Sequence, residues 1–377
     1  MCIRDRTASP RPAAVPSPSA GAGLPAPPGP WSEFFRAATQ PSRAALAGTL
    51  AVFALVWTAA LALVRPELFA AVHVGWFMDD THDNPMVVTA RVLQIRDGEP
   101  QPRGVALVGP SSLLESFSGA QAMSTALGEL TGTPVPVSNL CSGGLRVWEY
   151  AAVVEGTGDR IGGALVLSVS PNVLNKSHRF LREVAERPRL GLRSPAFDEE
   201  LRRAEVEPFA RTGIYLVDSW PFVFPRLELA LVHLFTGPVE TVQRQNRWRK
   251  RWSEERMLEN LAREPRQLAP IAPSNLEVIA RVIERRRRLG PVEFVLLEAA
   301  WNPRARAAFD PAALVEYHEL LERFAREHGV HYWDLNNEAD FEDADFDDPY
   351  HLRAGPARER YTRLLCGRLA GLLGEDR

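Results

Sequence analysis

The sequence predicts an α/β protein with a mostly parallel sheet covered by helices on both faces, preceded by one transmembrane helix. Short apolar runs alternate with helical patterns from residue 104 onward, which is typical of parallel sheets with helical crossovers. The runs are apolar at consecutive positions, as expected for strands buried on both faces. The 21 residues from Ala44 to Val64 carry no charge, and a helix rising about 1.5 Å per residue over this length crosses a hydrocarbon core of about 30 Å.

Five apolar segments are predicted strands because they are short and rich in Val, Leu and aromatic residues. They lie at 105–108, 135–140, 164–169, 292–299 and 330–335. One helix is predicted to begin after Asp310, an N-cap residue followed by proline, and to end at Gly329. A last helix is predicted from Pro356 to Leu373. Residues 87–95 are interpreted as either a strand or a short helix.

The predicted domain organisation has four parts, separated by shifts in composition and by the apolar run. They are a Pro/Ala-rich cytoplasmic tail (1–42), a transmembrane signal anchor (43–65), a neck (66–103) and a large domain (104–377) with a helical insertion (176–290). The tail contains too few large apolar side chains to offset its ordering entropy, so we expect disorder there. Within the insertion, Arg247 to Trp252 interleaves basic and aromatic residues. We interpret this stretch as a solvated helix face, with contact to lipid headgroups or an anionic polymer as the alternative, whereas nucleic-acid binding is disfavoured by the overall charge.

Charges around the apolar run predict how the chain is oriented in the membrane. Several arginines precede the run, whereas the first charges after Arg65 are acidic, at Glu67 and Asp79. The positive-inside rule then places the N-terminus in the cytoplasm and the large domain outside, in the periplasm or at the cell surface. A buried core helix and a cleaved signal peptide are the alternatives, and both are less consistent with the length and position of the run.

Composition limits the classes of partner and cofactor. The 377 residues carry a formal net charge of −3, which argues against binding nucleic acid through phosphate contacts. Cysteines occur only at positions 2, 141 and 366, which gives neither a metal-ligand spacing nor a disulfide framework, and no metal or other cofactor is predicted. We interpret Cys141 and Cys366 as small buried residues, with a disulfide between them as the alternative in an oxidising compartment.

A serine follows the first predicted strand. Gly109-Pro110 ends the strand and Ser111-Ser112 begins a helix. We interpret Ser112, with Glu115, as a capping box, which leaves Ser111 as the spare hydroxyl. A serine at a strand-to-helix turn stands clear of the sheet, and its backbone N–H lies at the positive end of the helix. This position suits an acyl-transfer nucleophile, although serine is also a common helix N-cap.

Small and polar residues also follow the second and third predicted strands. Gly143 and Gly144 lie in a Ser/Gly-rich loop after the second strand, and Asn172 comes shortly after the third. In parallel sheets, ligands bind at the carboxyl ends of the strands. The sequence therefore predicts that these residues and Ser111 share one edge of the sheet.

An Asp–His pair lies between the last predicted strand and the last helix. Asp348 and His351 are three residues apart, so their side chains can meet in a tight turn. A carboxylate on one ring nitrogen fixes the imidazole tautomer and leaves the other nitrogen free to accept a proton from serine. The alternatives are an acidic loop with a surface histidine, or a calcium site whose spacing lacks the glycine of an EF-hand loop. Its ligands would be Asp340, Asp343, Asp345 and Asp347.

With these segments in this order, the chain resembles the SGNH/GDSL hydrolase superfamily, whose four blocks supply Ser, Gly, Asn and a C-terminal Asp-x-x-His. The resemblance implies a flavodoxin-like three-layer α/β/α sandwich. The membrane anchor, the long insertion and the sequence DDPYHLRAG are most similar to the membrane-anchored branch. That branch includes the D-alanyl transfer protein of lipoteichoic acid modification and the alginate O-acetylation proteins.

The resemblance also implies a role for each residue of the four blocks. Ser111 would be the nucleophile and His351 its general base, oriented by Asp348. The oxyanion hole would comprise the Ser111 backbone N–H, a backbone N–H of Gly143 or Gly144, and the Asn172 side chain.

The implied activity is transfer of an acyl group from an ester or thioester to water or to a hydroxyl of a cell-envelope glycan, through an acyl-serine. The implied partners are an acylated small donor or glycan substrate and a membrane-bound O-acyltransferase. Three positions depart from the family pattern: Pro110, Ser170 and Val173. They motivate the alternative of a non-catalytic module that binds a glycan or a membrane enzyme. A plain carbohydrate esterase is a third interpretation.

Overall fold

The computed structural model describes residues 42–79, 84–186, 188–192, 194–208, 211–239 and 265–374. Residues 1–41 of the predicted disordered tail lie outside these ranges, as does the stretch from Arg247 to Trp252. The chain divides into two units, residues 1–58 and 59–377.

The central sheet has five parallel strands, as the sequence predicts. The strands are β1 (Val105–Val108), β2 (Val137–Asn139), β3 (Ala164–Ser168), β4 (Glu293–Glu298) and β5 (His331–Asp334). Their order is β2-β1-β3-β4-β5, and every neighbouring pair is parallel. This is the flavodoxin-like strand order, in which ligands bind outside the carboxyl ends of the strands.

Helices precede, connect and follow these strands. They are α1 (Arg43–Leu63), α2 (Pro66–Ala71), α3 (Asn84–Asp97), α4 (Ser111–Leu114), α5 (Ala120–Thr131), α6 (Val147–Thr157), α7 (Pro171–Leu174), α8 (His178–Glu186), α9 (Pro195–Arg203), α10 (Tyr215–Asp218), α11 (Trp220–Thr236), α12 (Pro265–Arg287), α13 (Pro303–Ala307), α14 (Pro311–His328) and α15 (Pro356–Gly374). Asp310 caps α14 through its side chain, and Gly329 ends that helix with φ +58°, as the sequence predicts.

The two faces of the sheet pack into separate hydrophobic cores. Along β1, Ala106 and Val108 belong to one core and Val105 and Leu107 to the other, because successive side chains of a strand point to opposite faces. Helices α3, α6, α12 and α14 cover the first face, and α5 and α15 cover the second. The fold is therefore the three-layer α/β/α sandwich that the resemblance implies.

Two segments predicted as peripheral contribute to the first core. Residues 66–103, predicted as a neck, include α3, whose Val88, Val92 and Ile95 pack beneath the sheet. The predicted insertion, 176–290, ends with α12, which supplies Leu276, Ile279 and other residues to the same core. Since α12 directly precedes β4, it serves as the crossover helix between β3 and β4.

A third hydrophobic cluster lies outside the sandwich, where α2, α3, α10 and α11 meet. The Phe69 ring contacts Phe77, Tyr215 and Phe222 in edge-to-face geometry, with centroids 4.8–6.2 Å apart. Val64, the residue immediately after α1, is buried in this cluster. The cluster thus joins the segment that follows α1 to the predicted insertion.

Helix α1 is long and apolar enough to cross a membrane, with a mean hydropathy of 2.1 over its most apolar window and no residue of that window buried. This matches the predicted span.

Cys141 and Cys366 are free and buried, as we interpreted them, and no disulfide joins them. Burial raises the pKa of the Cys366 thiol to about 11.

Candidate active site

The turn after β1 places Ser111 at the start of a helix. Gly109 is required there, because a Cβ on it would lie 2.7 Å from the Ser168 side chain and 3.0 Å from Leu113. Pro110 occupies the N-cap position in an extended conformation, and Ser111 is the first residue of α4. The first N–H groups of a helix have no intrahelical acceptor. The Ser111 backbone N–H therefore lies at a helix N-terminus, beside its own hydroxyl.

The capping-box interpretation of Ser112 is wrong. Pro110 is the N-cap residue, and no side chain caps α4. The Ser112 hydroxyl is buried without a hydrogen-bond partner among the described residues, and Glu115 lies at the other end of the helix as its C-cap. The helix begins two residues earlier than the capping box indicated, and the Ser112 side chain is buried instead of capping it.

Asp348 and His351 face each other across a tight β-hairpin. Strand β6 (Phe346–Asp348) pairs with β7 (His351–Leu352) in antiparallel orientation, and Asp348 is directly opposite His351. The Nδ1 atom of His351 lies 2.8 and 2.7 Å from the two carboxylate oxygens of Asp348. The Tyr350 backbone N–H also donates to Asp348 Oδ1, at 2.9 Å. The hairpin therefore fixes the carboxylate at the Nδ1 edge of the imidazole.

The second nitrogen of the imidazole faces the serine. His351 Nε2 lies 3.0 Å from Ser111 Oγ, although the two residues come from opposite ends of the domain sequence. Burial raises the pKa of Asp348, but the hydrogen bond and charge of His351 outweigh it, so that the pKa lies below its ordinary value. The carboxylate therefore stays ionised, as a residue that orients an imidazole and stabilises its cation must.

The hairpin is anchored by the loop after β4. The Asn302 backbone N–H donates to the carbonyl of Pro349 at 3.0 Å. The Trp301 ring packs edge-to-face on Tyr350, with centroids 5.8 Å apart, and its backbone N–H donates to Asn336 Oδ1 at 2.7 Å. These contacts hold the imidazole where the serine can reach it, and no sequence motif indicated them.

The Gly143–Gly144 loop lies beside the serine turn, because the Ser142 backbone N–H donates to the Gly109 carbonyl at 2.9 Å. Gly144 has φ +70°, a backbone conformation that favours glycine. Arg189, which lies in the predicted insertion, holds this loop in place. Its guanidinium donates to the carbonyls of Gly143 at 2.9 Å and Gly144 at 2.7 Å.

Arg189 is itself fixed by an ion pair with Glu149, whose carboxylate is almost fully buried. The same Glu149 carboxylate accepts a hydrogen bond from the Arg146 backbone N–H at 2.8 Å. With its carbonyls held by a cation, the loop has a defined backbone conformation. Sequence reasoning missed Arg189 because it stands in a segment without any recognisable motif.

Asn172 lies in α7, directly after β3, and β3 is the neighbour of β1 in the sheet. Its Oδ1 atom is buried and has no hydrogen-bond partner among the described residues. Asn172 makes no hydrogen bond to Ser111 or His351 within this described set. The structure therefore places Asn172 at the same edge of the sheet as Ser111, and its predicted oxyanion role stays a prediction.

The three departures from the family pattern have structural roles. The Ser170 hydroxyl accepts a hydrogen bond from the Ala299 backbone N–H at 2.8 Å, which ties the end of β3 to the loop after β4. Val173 is buried in the first core. Pro110 is the N-cap residue of α4. None of these roles interrupts the contacts among Ser111, His351 and Asp348.

A second histidine–carboxylate cluster is the candidate for a metal among the described residues. One ligand atom each from Glu298, His318 and Asp334 lies within 4.8 Å of the others. However, Arg306 Nη2 lies 2.8 Å from the Asp334 carboxylate, and the Tyr332 hydroxyl donates to Glu298 at 2.8 Å. The guanidinium would repel a cation, so these residues form an ion-pair cluster instead.

Burial lowers the pKa of His318, but the Glu298 carboxylate, 3.2 Å from Nε2, together with Asp334, outweighs it and raises the pKa above its ordinary value. The protonated ring is therefore favoured between the two carboxylates.

Three of the four acids considered as calcium ligands have protein partners. Asp343 accepts from the Asn302 side chain at 2.7 Å, Asp345 pairs with Arg360 at 2.8 Å, and Asp347 pairs with Arg353 at 2.8 Å. Partners of this kind compete with an ion for the same oxygens, so the calcium alternative is disfavoured.

The chain matches no protein-family model and no curated protein. Among solved structures it is similar to LAE5, an alpha/beta hydrolase enzyme from the metagenome of Lake Arreo, with 12% identity, 73% of this chain and 97% of that chain covered, and a TM-score of 0.35. It is also similar to an extracellular lipase from Streptomyces rimosus (10% identity, 70% and 98% covered, TM-score 0.33). A third similar structure is phospholipase A1 from Streptomyces albidoflavus (12% identity, 73% and 100% covered, TM-score 0.33). At these TM-scores the similarities carry no argument about family or activity.

Proposed function

We propose that the chain is a membrane-anchored serine acyl-esterase or O-acyltransferase of the SGNH type. In this proposal it acts outside the membrane on an ester of a cell-envelope glycan. The observation that carries the proposal is the unbroken series of contacts from Ser111 Oγ to His351 Nε2 at 3.0 Å and from His351 Nδ1 to Asp348 at 2.7 Å. Side chains from two distant segments make the nucleophile–base–carboxylate arrangement of acyl transfer.

The chemistry follows from these contacts. His351 Nε2 takes the Ser111 proton as Oγ attacks the carbonyl carbon, and Asp348 stabilises the imidazolium that forms. The tetrahedral intermediate then collapses, the leaving oxygen takes the proton from His351, and an acyl-serine remains. In the second half, His351 removes a proton from water or from a glycan hydroxyl. That oxygen attacks the acyl carbon, and Ser111 is released with its proton restored.

The negative charge on the tetrahedral intermediate needs hydrogen-bond donors. The Ser111 backbone N–H, at the start of α4, is one donor of this proposal. A backbone N–H of the Gly143–Gly144 loop and the Asn172 side-chain amide are the others. Donors fixed before the reaction stabilise such charge without reorganisation, and the Arg189 contacts to the loop carbonyls fix that backbone.

The proposed location rests on α1 and on the charges that flank it. A helix of this length and apolarity is consistent with a single-pass anchor. The excess of arginines before it favours a cytoplasmic N-terminus and an extracytoplasmic domain. In that location an envelope glycan is the acceptor or substrate. If the protein is a transferase, an acylated small donor is the source of the acyl group, and a membrane-bound O-acyltransferase is its partner.

A fluorophosphonate probe tests the proposed nucleophile. We expect the wild-type protein to be labelled and Ser111→Ala to be unlabelled. Ser112→Ala is the matched control, because it removes the neighbouring hydroxyl, which is buried and lacks a described partner. Labelling of Ser111→Ala would assign the reactivity to another residue. A folded wild-type protein that resists the probe would favour the non-catalytic glycan-binding module.

Hydrolysis of p-nitrophenyl acetate, measured with and without an acceptor glycan, separates an esterase from a transferase. A transferase should form acylated glycan and release less acetate when the acceptor is present. A plain carbohydrate esterase should release acetate at the same rate in both cases and acylate nothing.

A further inference from the structure

Helix α11 exposes an apolar face that the proposed chemistry does not use. Trp220, Phe224, Leu231 and Phe235 are 41%, 49%, 63% and 91% exposed. Their spacings of four, seven and four residues place them on one side of the helix. We call these four residues the outer face of α11. Exposed apolar surface of this extent marks a site of interaction with protein or membrane.

The opposite side of α11 is fixed to the segment that follows α1. Phe222 and Val223 are buried in the third cluster together with Val64 and Phe69. His233 Nδ1 lies 2.9 Å from the carbonyl of Trp76. The outer face therefore belongs to a helix with a defined position in the domain.

The last turn of α1 packs into the same cluster. Ala60 and Leu61 are partly buried against it, and Val64 is buried within it. Helix α11 is thus held beside the point where the chain leaves α1. If α1 is the membrane anchor of the proposed function, on which this inference rests, that point is the membrane surface, and α11 lies next to it.

We infer that the outer face of α11 contacts the lipid interface of the bilayer. Tryptophan and other large apolar side chains are enriched where a protein meets headgroups and the start of the acyl chains. Within α11, Glu228 is the one acidic residue, and it is exposed. Its carboxylate remains at headgroup level while the rings on either side enter the apolar region. Two attachments, α1 and α11, then orient the domain on the membrane, where α1 alone would give a single point of contact.

The test uses single fluorescent labels in the full chain, reconstituted in phosphatidylcholine vesicles. Cys2→Ser leaves the two buried thiols, and a cysteine is then placed at Leu231 or Phe235 and labelled with bimane. The control label is at Leu130, a large apolar residue on α5 that is 58% exposed. We expect lipids brominated on their acyl chains to quench roughly half of the emission at 231 and 235, and little of it at 130.

Two other outcomes overturn the inference. Labels at 231 and 235 that are quenched by aqueous iodide and not by brominated lipid place the outer face in water. Labels shielded from both quenchers place it against protein, either a second copy or another segment of the chain. Flotation with the vesicles is measured separately, and failure to float removes the anchor as well as the inference. Cooperative thermal unfolding of each labelled variant verifies that the fold is intact.

Discussion

Two histidines of this domain lie beside carboxylates, and they differ in what their ring nitrogens face. His351 directs Nδ1 to Asp348 and Nε2 to the Ser111 hydroxyl at 3.0 Å. His318 directs the same Nε2 toward two carboxylates, Glu298 at 3.2 Å and Asp334 at 4.0 Å. A nearby carboxylate is therefore not sufficient for the general-base role proposed for His351. The arrangement becomes reactive when the carboxylate occupies one nitrogen and the nucleophile occupies the other.

The difference also concerns charge. The cluster around His318 raises the pKa of that histidine above its ordinary value, so its ring stays protonated to higher pH than a free imidazole would. A general base must instead accept and release a proton in each turnover. The comparison predicts that mutation of His351 lowers the reaction rate, whereas mutation of His318 lowers the stability of the fold.

The largest effect is expected from His351→Gln. Removing the base of a serine triad lowers kcat by about 10⁴- to 10⁶-fold, so ester hydrolysis and fluorophosphonate labelling should both be lost. His318→Gln is the matched control, because it makes the same substitution at another histidine beside carboxylates. It should keep kcat/KM within a few-fold of wild type, since His318 lies away from the reacting atoms. Equal losses in the two variants would show that His351 has no catalytic role that His318 lacks.

Asp348→Asn should lower kcat by about 10³- to 10⁴-fold, because an amide no longer fixes the imidazole tautomer or stabilises its cation. Asp347→Asn is the control at the neighbouring carboxylate, which pairs with Arg353. Steady-state hydrolysis, corrected for the folded fraction, measures both variants. A control variant as slow as Asp348→Asn would indicate that the hairpin as a whole, and not the Asp348–His351 contact, limits the rate.

Arg189→Gln sharpens the comparison by testing the Gly143–Gly144 loop, which lies beside the serine turn. Its contacts to Gly143 and Gly144 are lost, and we expect kcat to fall about 10- to 100-fold, less than for outright loss of an oxyanion donor. KM should change little. Arg182→Gln, at an exposed arginine of α8, is the control. A rise in KM with unchanged kcat would place Arg189 in substrate binding instead of loop positioning.

The smallest effect is expected from His318→Gln, as a loss of unfolding free energy at mildly acidic pH. A histidine with a raised folded-state pKa stabilises the protein fully below its unfolded pKa of about 6.5, and this contribution is lost as the pH rises through the folded value. Wild type should therefore exceed the variant by about 1–2 kcal/mol in unfolding free energy at mildly acidic pH. The gap should close in alkaline solution. Urea unfolding across this pH range measures it, and a gap that widened with pH would contradict the ion-pair cluster.

The local signals in the sequence were sufficient for most of the fold. Continuous apolar runs such as Val105–Val108 predicted buried strands, and Asp310 and Gly329 predicted the limits of α14, both as observed. Each of these signals is contained in a few neighbouring residues, since strand burial, N-caps and left-handed ends depend on local backbone chemistry. Ser111, Asn172 and His351 were singled out in the same way, by residue type and by position after a strand.

Contacts between distant segments were decided only by the tertiary structure. No motif indicated that Arg189 would hold the Gly143–Gly144 loop, or that the Ser170 hydroxyl would bind the loop after β4. It also misassigned Ser112, because the choice between capping and burial depends on what packs against the turn. Capping and strand patterns are specified by short stretches of chain. The 3.0 Å approach of His351 to Ser111 exists only because the sheet order and the packed hairpin bring the two ends of the domain together.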